Sequence, residues 1–324
     1  MRRILITPYV LTVALQYSNH IKNENITYKL NDLKQILLQH PNSAGYINYV
    51  DYIINNYDKI LSAVPDDFDA YNPIKQLNLT ITLSRIFSIE DSNGDIHQYK
   101  FHELVVNSLS YDKIRNSIYP IYISKLGIRT CVSCNAQYAI SIKRDKGDYT
   151  SSFQIDHYLP KSKYPYLAIS FFNLQPSCGH CNQLKSKNKS LFNLYTNRAS
   201  DVQPFRFNVD RLSLLHFLLT RDSNNLKLDI TSTNTSLMEN HEKRFHVKVK
   251  YEKHKEEASD IVLLSRFYNR AYLNQLHSQF SSIMPHFRNQ ILNMLLGFPV
   301  MEEDVHKRPL TLMRQDIAKQ LNVL

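Results

Sequence analysis

The chain has 324 residues, of which 43% are hydrophobic and 21% charged, a composition typical of globular domains. Only six residues are glycine, which favours helices over turn-rich β architecture, and neither G-x-x-x-x-G-K-[ST] nor G-x-G-x-x-G occurs, so any dependence on ATP must come from a partner. The formal net charge of +10 favours a polyanionic partner, and no apolar run approaches the ~18 residues of a membrane span.

Residues 1–127 are predicted to form a mainly helical region. Thr7 and Pro8 have the residue types of an N-cap and a first helical position, and apolar residues follow at helical spacing. The opening "MRRILITPYVLTVALQ" also has the charge and apolar pattern of a signal peptide, but no A-x-A cleavage pattern follows, so we favour a helix and a cytoplasmic protein. Further helices are predicted at 30–39, 45–63 and 111–126. The last of these is expected to be kinked at Pro120 and to end at Gly127. A hairpin is predicted around Asn93-Gly94.

The pattern changes in residues 128–200. Two strands, 138–143 and 151–157, are predicted to pair as a hairpin, and a helix is predicted from Gly179 through Lys187. Residues 201–324 form a third predicted region, mainly helical, with a strand in "NLKLDITST" and long helical periodicity over 263–296. The predicted fold class is therefore α+β, mostly helical, with a small module embedded between two helical regions.

All four cysteines fall in two C-x-x-C pairs, "CVSC" and "CGHC", which contribute Cys131, Cys134, Cys178 and Cys181. Two such pairs supply the four thiolates of a tetrahedral, closed zinc site, so we predict one structural Zn²⁺ per chain. Two disulfides or free buried thiols are the alternatives, and disulfides are disfavoured in a large chain without a convincing signal sequence. Because 43 residues separate the two pairs, the zinc must hold together a segment inserted between them.

That inserted segment carries three short motifs in order: "FQIDHYLPKS" (153–162), "FFNLQP" (171–176) and, overlapping the second cysteine pair, "CGHCNQLKSK" (178–187). This order resembles the HNH endonucleases of the ββα-metal class. It is similar, more specifically, to HNH proteins of bacterial phage-defence loci such as the nuclease subunit of Septu-type systems. The similar part runs from about residue 131 to residue 189, under a fifth of the chain. The resemblance implies a zinc-stapled ββα-metal module.

Four residues are the predicted catalytic set. His157 has an imidazole suited to accept a proton from water near neutral pH. The resemblance implies that Asp156 and Asn182 hold a catalytic Mg²⁺ or Mn²⁺ through oxygen atoms, and that Asn173 ties the loop so that the backbone orients His157. In a strict pleat Asp156 and His157 point to opposite sides, so the strand end is expected to twist or bulge.

Residues 157–200 contain five Lys, one Arg and no Asp or Glu, which favours a polyanion site around the motifs. Taken alone, Lys185 and Lys189 are each better explained as solvated surface lysines, and only the stretch as a whole favours phosphate contacts. We expect His180 to be an exposed residue without catalytic role, and for the three nearby tyrosines we favour packing over base stacking. The candidate nucleic-acid contacts are Lys161, Lys163, Lys185 and Lys189, and the tyrosines are Tyr158, Tyr164 and Tyr166.

The sequence thus favours a metal-dependent HNH endonuclease that hydrolyses phosphodiester bonds in nucleic acid. The resemblance implies DNA in preference to RNA as substrate, a role in bacterial anti-phage defence and an ATPase partner subunit, with no membrane partner. Two alternatives remain open. One is a zinc-stapled nucleic-acid-binding or adaptor module without catalysis, and the other is a secreted nuclease toxin.

Overall fold

The chain was analysed as a computed structural model, which describes residues 1–90, 93–145, 149–280 and 287–324. It is mostly helical with small two-stranded sheets, as predicted. The helices are α1 (Pro8–Lys22), α2 (Ile26–Leu38), α3 (Ala44–Ser62), α4 (Pro73–Gln76), α5 (Phe101–Ser108), α6 (Tyr111–Lys113), α7 (Tyr119–Lys125), α8 (Gly179–Lys185), α9 (Arg211–Thr220), α10 (Thr235–Phe245), α11 (Val247–Tyr251), α12 (Lys255–Phe267), α13 (Arg270–Phe280), α14 (Phe287–Leu296) and α15 (Thr311–Gln320). None of the described helices is both long and apolar enough to span a membrane.

Each sheet in the described residues consists of two strands. The strands are β1 (Ile4–Leu5), β2 (Ile86–Glu90), β3 (Ile96–Lys100), β4 (Ser141–Lys143), β5 (Tyr149–Ser151), β6 (Gln154–His157), β7 (Leu174–Ser177), β8 (Tyr195–Thr196), β9 (Arg206–Val209) and β10 (Leu228–Thr231). Strand β1 pairs with β8 in parallel. The other four pairs, β2–β3, β4–β5, β6–β7 and β9–β10, are antiparallel.

The N-terminal region folds largely as predicted. Thr7 caps α1 by accepting a hydrogen bond from the amide of Val10, and Pro8 follows at the first helical position. Strands β2 and β3 form the predicted hairpin near Gly94, although residues 91–92 lie outside the described residues. The helix predicted over 111–126 is irregular before Pro120 rather than at it, because a π-helical turn joins α6 to α7.

The predicted pairing of strands 138–143 and 151–157 is correct only where the second strand begins, at Ser141 opposite Ser151, and is wrong for residues 154–157. Strand β4 pairs only with β5, the chain bends at 152–153, and β6 pairs instead with β7. Burial explains the difference: β7 is buried along its whole length and covers the buried end of β6, whereas residues 140–143 are exposed or half-buried. Part of the predicted turn, 146–148, lies outside the described residues.

The strand, strand, helix order of the central region is nevertheless present, built from β6, β7 and α8. Its apolar residues, such as Leu167 and Phe171, join one large core with the N-terminal helices. The four cysteines belong to a second core with residues 205–324. The central region therefore lies between two hydrophobic cores and contributes to both.

The C-terminal region contains the predicted strand as β10, paired with β9. The helical periodicity over 263–296 belongs to more than one helix, since α12 ends at Phe267 and α13 begins at Arg270. Residues 281–286, within the same prediction, lie outside the described residues.

Candidate active site

Asp156 and His157 stand at the end of β6, where the register pairs them with Gln175 and Leu174. Both side chains are buried, with exposed fractions of 3% and 7%, and both line one cavity. The register of β6 and β7 is one-to-one, so the bulge that was one of the two expected distortions of the strand end is not present in these residues.

Asn173 fixes the loop that follows His157. Its side-chain oxygen accepts a hydrogen bond from the amide of Leu159 at 2.8 Å. Its side-chain nitrogen donates to the carbonyls of Leu159 and Leu167, and its own carbonyl accepts from the amide of Tyr158. Asn173 is fully buried, so these bonds replace all contact with water. It has the geometry of the positioning role that the resemblance implies.

The imidazole of His157 is held by one nitrogen. Nε2 lies 3.0 Å from the carbonyl oxygen of Ala168, so it carries the hydrogen and donates, which leaves the lone pair on Nδ1. Nδ1 has no hydrogen-bond partner among the described residues. Burial lowers the pKa of His157 to about 3, an effect that the bond to Ala168 opposes and the charges of Lys161 and Lys185 reinforce. The ring is neutral at physiological pH.

Asp156 is neutralised from within the protein. The ammonium of Lys185 lies 2.5 Å from Oδ1 and also donates to the carbonyl oxygen of His157. The other carboxylate oxygen accepts from Nε2 of Gln175 at 3.3 Å. Burial raises the pKa of Asp156, and the charge of Lys185 opposes this rise. Lys185 is only 1% exposed, which differs from the exposed phosphate contact predicted for it.

Asn182 stands on α8 and lines the same cavity. Its side-chain nitrogen donates to the side-chain oxygen of Gln154 at 2.7 Å, which leaves its amide oxygen free of partners among the described residues. Helix α8 begins at its N-cap Cys178, whose sulfur accepts from the amide of Cys181. The second cysteine pair thus fixes the start of the helix that presents Asn182 and Lys185.

The cavity has a volume of about 410 Å³ and two walls. The central region supplies one wall, whose charged and polar motif residues include Asp156, His157, Lys161, Asn182, Lys185 and Lys187 but not Asn173. The other wall comes from the N-terminal region, to which sequence reasoning assigned no chemistry. Its polar and aromatic residues are His102, Glu103, Asn107, Tyr111 and Arg115. No motif or spacing in the sequence pointed to them, because only the packing of α5 and α6 against the central region brings them to the site.

The ring of Tyr111 lies beside two of the cationic side chains of the cavity and beside the imidazole of His157. Its ring centroid lies 5.1 Å from that of His157 and 4.1 Å from the ammonium of Lys161. The guanidinium of Arg115 lies 5.7 Å from the same ring and pairs with Asp112 at 3.0 Å. Two positive side chains thus stand against the tyrosine that contacts the imidazole.

The remaining predicted contacts lie elsewhere. Lys163 is exposed and does not line the cavity, and Lys189 lines a separate cavity of about 200 Å³. Tyr166 is buried and donates to the carbonyl of Phe68, so its role is packing, as favoured. His180 is exposed, as predicted.

The side chains that were predicted to bind a catalytic Mg²⁺ or Mn²⁺ are not arranged to do so in this structure. The two predicted ligands, Asp156 and Asn182, line one cavity, but both oxygens of the carboxylate already accept hydrogen bonds. The ammonium at Oδ1 is itself a full positive charge at the place where the ion would bind. A divalent cation there would have to displace Lys185 or be repelled by it.

The cysteine cluster fits zinc. The four sulfur atoms all lie within 4.8 Å of one another, all four cysteines are buried, and none forms a disulfide. A tetrahedral site with Zn–S bonds of 2.3 Å needs sulfur atoms about 3.8 Å apart. The four thiols interact strongly: although burial opposes it, hydrogen bonds among the sulfurs lower the pKa of Cys131, and they raise the pKa values of Cys134 and Cys181. Binding of Zn²⁺ would require all four to lose their protons.

The C-terminal region covers this cluster. The ammonium of Lys250 lies 3.3 Å from the sulfur of Cys181, and the hydroxyl of Tyr251 donates to the carbonyl of Cys134 at 2.7 Å. Four thiolates around Zn²⁺ would carry a net charge of −2, so the half-buried ammonium of Lys250 beside them would be electrostatically favourable.

Comparison of the chain with protein-family models, with curated proteins and with solved structures finds no match.

Replacing one zinc ligand, by Cys178→Ser, should abolish binding of the one zinc expected per chain and unfold the central region. Zinc binding contributes roughly 10 to 16 kcal/mol in zinc-finger peptides, as much as the whole stability of a typical domain. Because the cysteines belong to the C-terminal core, the loss of structure should extend into residues 205–324. Zinc content by mass spectrometry and helicity by circular dichroism measure both effects.

Ser133→Ala is the matched control, since Ser133 lies between the first two cysteines and its buried hydroxyl has no partner. It should keep full zinc content. A Cys178→Ser protein that melts like wild type would contradict a structural zinc.

Asn173→Ala should destabilise the protein, because it leaves the buried amide and carbonyl of Leu159 without partners, whereas the carbonyl of Leu167 keeps its bond from the amide of Ser170. Each unsatisfied group costs about 1 to 3 kcal/mol, so the free energy of unfolding in urea should fall by at least about 2 kcal/mol. Asn188→Ala, an exposed asparagine after α8, is the control and should change it by less than about 0.5 kcal/mol. Equal effects of the two substitutions would remove the positioning role from Asn173.

Proposed function

We propose that this protein is an HNH-type endonuclease that hydrolyses phosphodiester bonds in nucleic acid. One observation carries the proposal: the neutral imidazole of His157, anchored through Nε2, lines a cavity that also holds Lys161 and Arg115. A base with an available lone pair beside several cations is what attack of water on a phosphodiester requires.

The reaction uses His157 as general base. Water enters the cavity, its proton passes to Nδ1, and its oxygen forms a bond to phosphorus while the bond to the leaving sugar oxygen breaks. The leaving oxygen takes a proton from solvent. The bond from Nε2 to the carbonyl of Ala168 orients the ring and stabilises the imidazolium that forms.

Binding of the phosphodiester is assigned to the cations of the cavity. Lys161 and Arg115 stand against Tyr111, and Lys187 lines the same cavity from the end of α8. Charges from two separate parts of the chain thus converge on the volume beside the imidazole. Their attraction for phosphate is favourable and depends on salt.

The Mg²⁺ or Mn²⁺ implied by the resemblance enters no step of this reaction, because Asp156 is occupied by Lys185. DNA is the favoured substrate and RNA the second candidate. This preference, the role in anti-phage defence and the ATPase partner all rest on the resemblance of the motifs.

Purified zinc-loaded protein should cleave supercoiled plasmid, and His157→Ala should lower the rate by about 10² to 10⁴, the usual contribution of a general base. His216→Ala is the matched control: it is an exposed histidine on α9 that does not line the cavity, and its rate should equal wild type. Gel analysis of nicked and linear plasmid measures the rate, with total RNA as the second substrate. Binding of both nucleic acids without cleavage of either would favour the non-catalytic module.

The pH dependence should show the lowered pKa of His157. In the free protein the imidazole loses its proton near pH 3, so kcat/KM should not fall between pH 7 and pH 5, where an ordinary histidine would become protonated. A bound phosphodiester brings negative charge to the ring and raises its pKa, so the acid limb of kcat should lie at higher pH than that of kcat/KM. A fall in kcat/KM with an apparent pKa near 6.5 would contradict the buried geometry of His157.

A further inference from the structure

Lys185 has an unusual position for a lysine near a nucleic-acid site. Its ammonium is buried inside the protein and touches two oxygen atoms, Oδ1 of Asp156 and the carbonyl oxygen of His157. A carboxylate oxygen and a backbone oxygen are the ligand types that a hard metal cation would take. The ammonium therefore stands where such a cation would be bound.

The surroundings fix this arrangement. The second oxygen of Asp156 accepts from the side-chain nitrogen of Gln175. The orientation of that amide is set in turn, because its oxygen accepts from the backbone amide of Leu194 at 3.1 Å. Asp156 thus has a donor on each oxygen.

We propose that the ammonium of Lys185 takes the cation position at Asp156, so that this site works without a divalent ion and Lys185 positions His157. The metal-binding part of this proposal stands on the geometry alone, whereas its catalytic part rests on the proposed nuclease function. Lys185 is a positioning residue: it joins the last turn of α8 to the end of β6 through the carbonyl of His157.

Charge and burial favour the ammonium over an ion from solution. Breaking a buried ion pair leaves an uncompensated charge, which is strongly unfavourable. A divalent ion at Oδ1 would have to offset that cost and the loss of its own hydration, with Asn182 as the remaining predicted ligand. The ammonium of Lys185 also loses hydration, but it is tethered to the same chain at high effective concentration and its hydrogen bonds to Asp156 and to the carbonyl of His157 replace bonds to water.

The test is a Mn²⁺ titration of zinc-loaded protein, with free Mn²⁺ followed by electron paramagnetic resonance and the site followed by broadening of the His157 ring signals in NMR spectra. Wild type should bind no Mn²⁺ that broadens His157. Lys185→Met keeps the side-chain length, removes the charge, and should bind Mn²⁺ beside His157 at least about tenfold more tightly. The double variant Asp156→Asn with Lys185→Met should lose this binding again.

Lys161→Met is the matched control, because Lys161 lines the same cavity but pairs with the ring of Tyr111 and not with Asp156. In the Mn²⁺ titration it should show no binding that broadens the His157 signals, as for wild type. The decisive contrary result needs no variant: wild-type protein that binds one Mn²⁺ per chain with broadening of His157 would overturn the proposal.

Cleavage in metal-depleted buffer separates this proposal from the proposed function. Zinc-loaded wild type should cut plasmid equally with and without added Mg²⁺, and a strict requirement for Mg²⁺ would overturn the cation assignment. A chain that cuts no nucleic acid in either buffer contradicts the nuclease instead, and the Mn²⁺ titration then decides the cation position by itself.

Discussion

The four sulfur atoms of the cysteine cluster are the constraint on which the rest of the site depends. They bring residues 131–134 against residues 178–181 and so close a loop that contains the strand pair β6–β7. One of them, Cys178, also begins α8, the helix that presents Lys185 to the strand end. A small module with two short strands has too little core of its own. It contributes to two neighbouring cores, and a metal ion held by the four cysteines would stabilise it further.

The principal buried polar groups at the strand end are paired within the chain. Asp156 pairs with Lys185, the side chain of Asn173 bonds the backbone amide of Leu159, and the imidazole of His157 donates to the carbonyl of Ala168. Such a network holds its members in one geometry, because moving any one of them leaves a partner unpaired. Nδ1 of His157 has no partner among the described residues, and it is the atom that the proposed reaction uses.

Features set by neighbouring residues could be predicted from the sequence, whereas contacts between residues far apart in the chain could not. The Thr7 cap, the helix at residues 44–62 and the four-sulfur cluster followed from spacing and residue type. Strand β6 was paired with the wrong partner, because alternation does not distinguish an exposed strand from the buried β7. Lys185 looked like a solvated lysine, since its burial depends on an acid 29 residues away. Arg115 was missed because only tertiary packing brings it to the cavity.

The covering of the cysteine cluster by Lys250 and Tyr251 has a consequence for the order of events during synthesis. A chain emerges from the ribosome in the N-to-C direction, so all four cysteines leave the tunnel well before these two residues. The thiols are then open to solvent, and a metal ion could bind them on the nascent chain. Once the C-terminal region folds over the cluster, an ion bound there would be enclosed, and its release would require that region to detach. Covering by residues that are synthesised last would thus slow the exchange of a bound ion without changing its ligands.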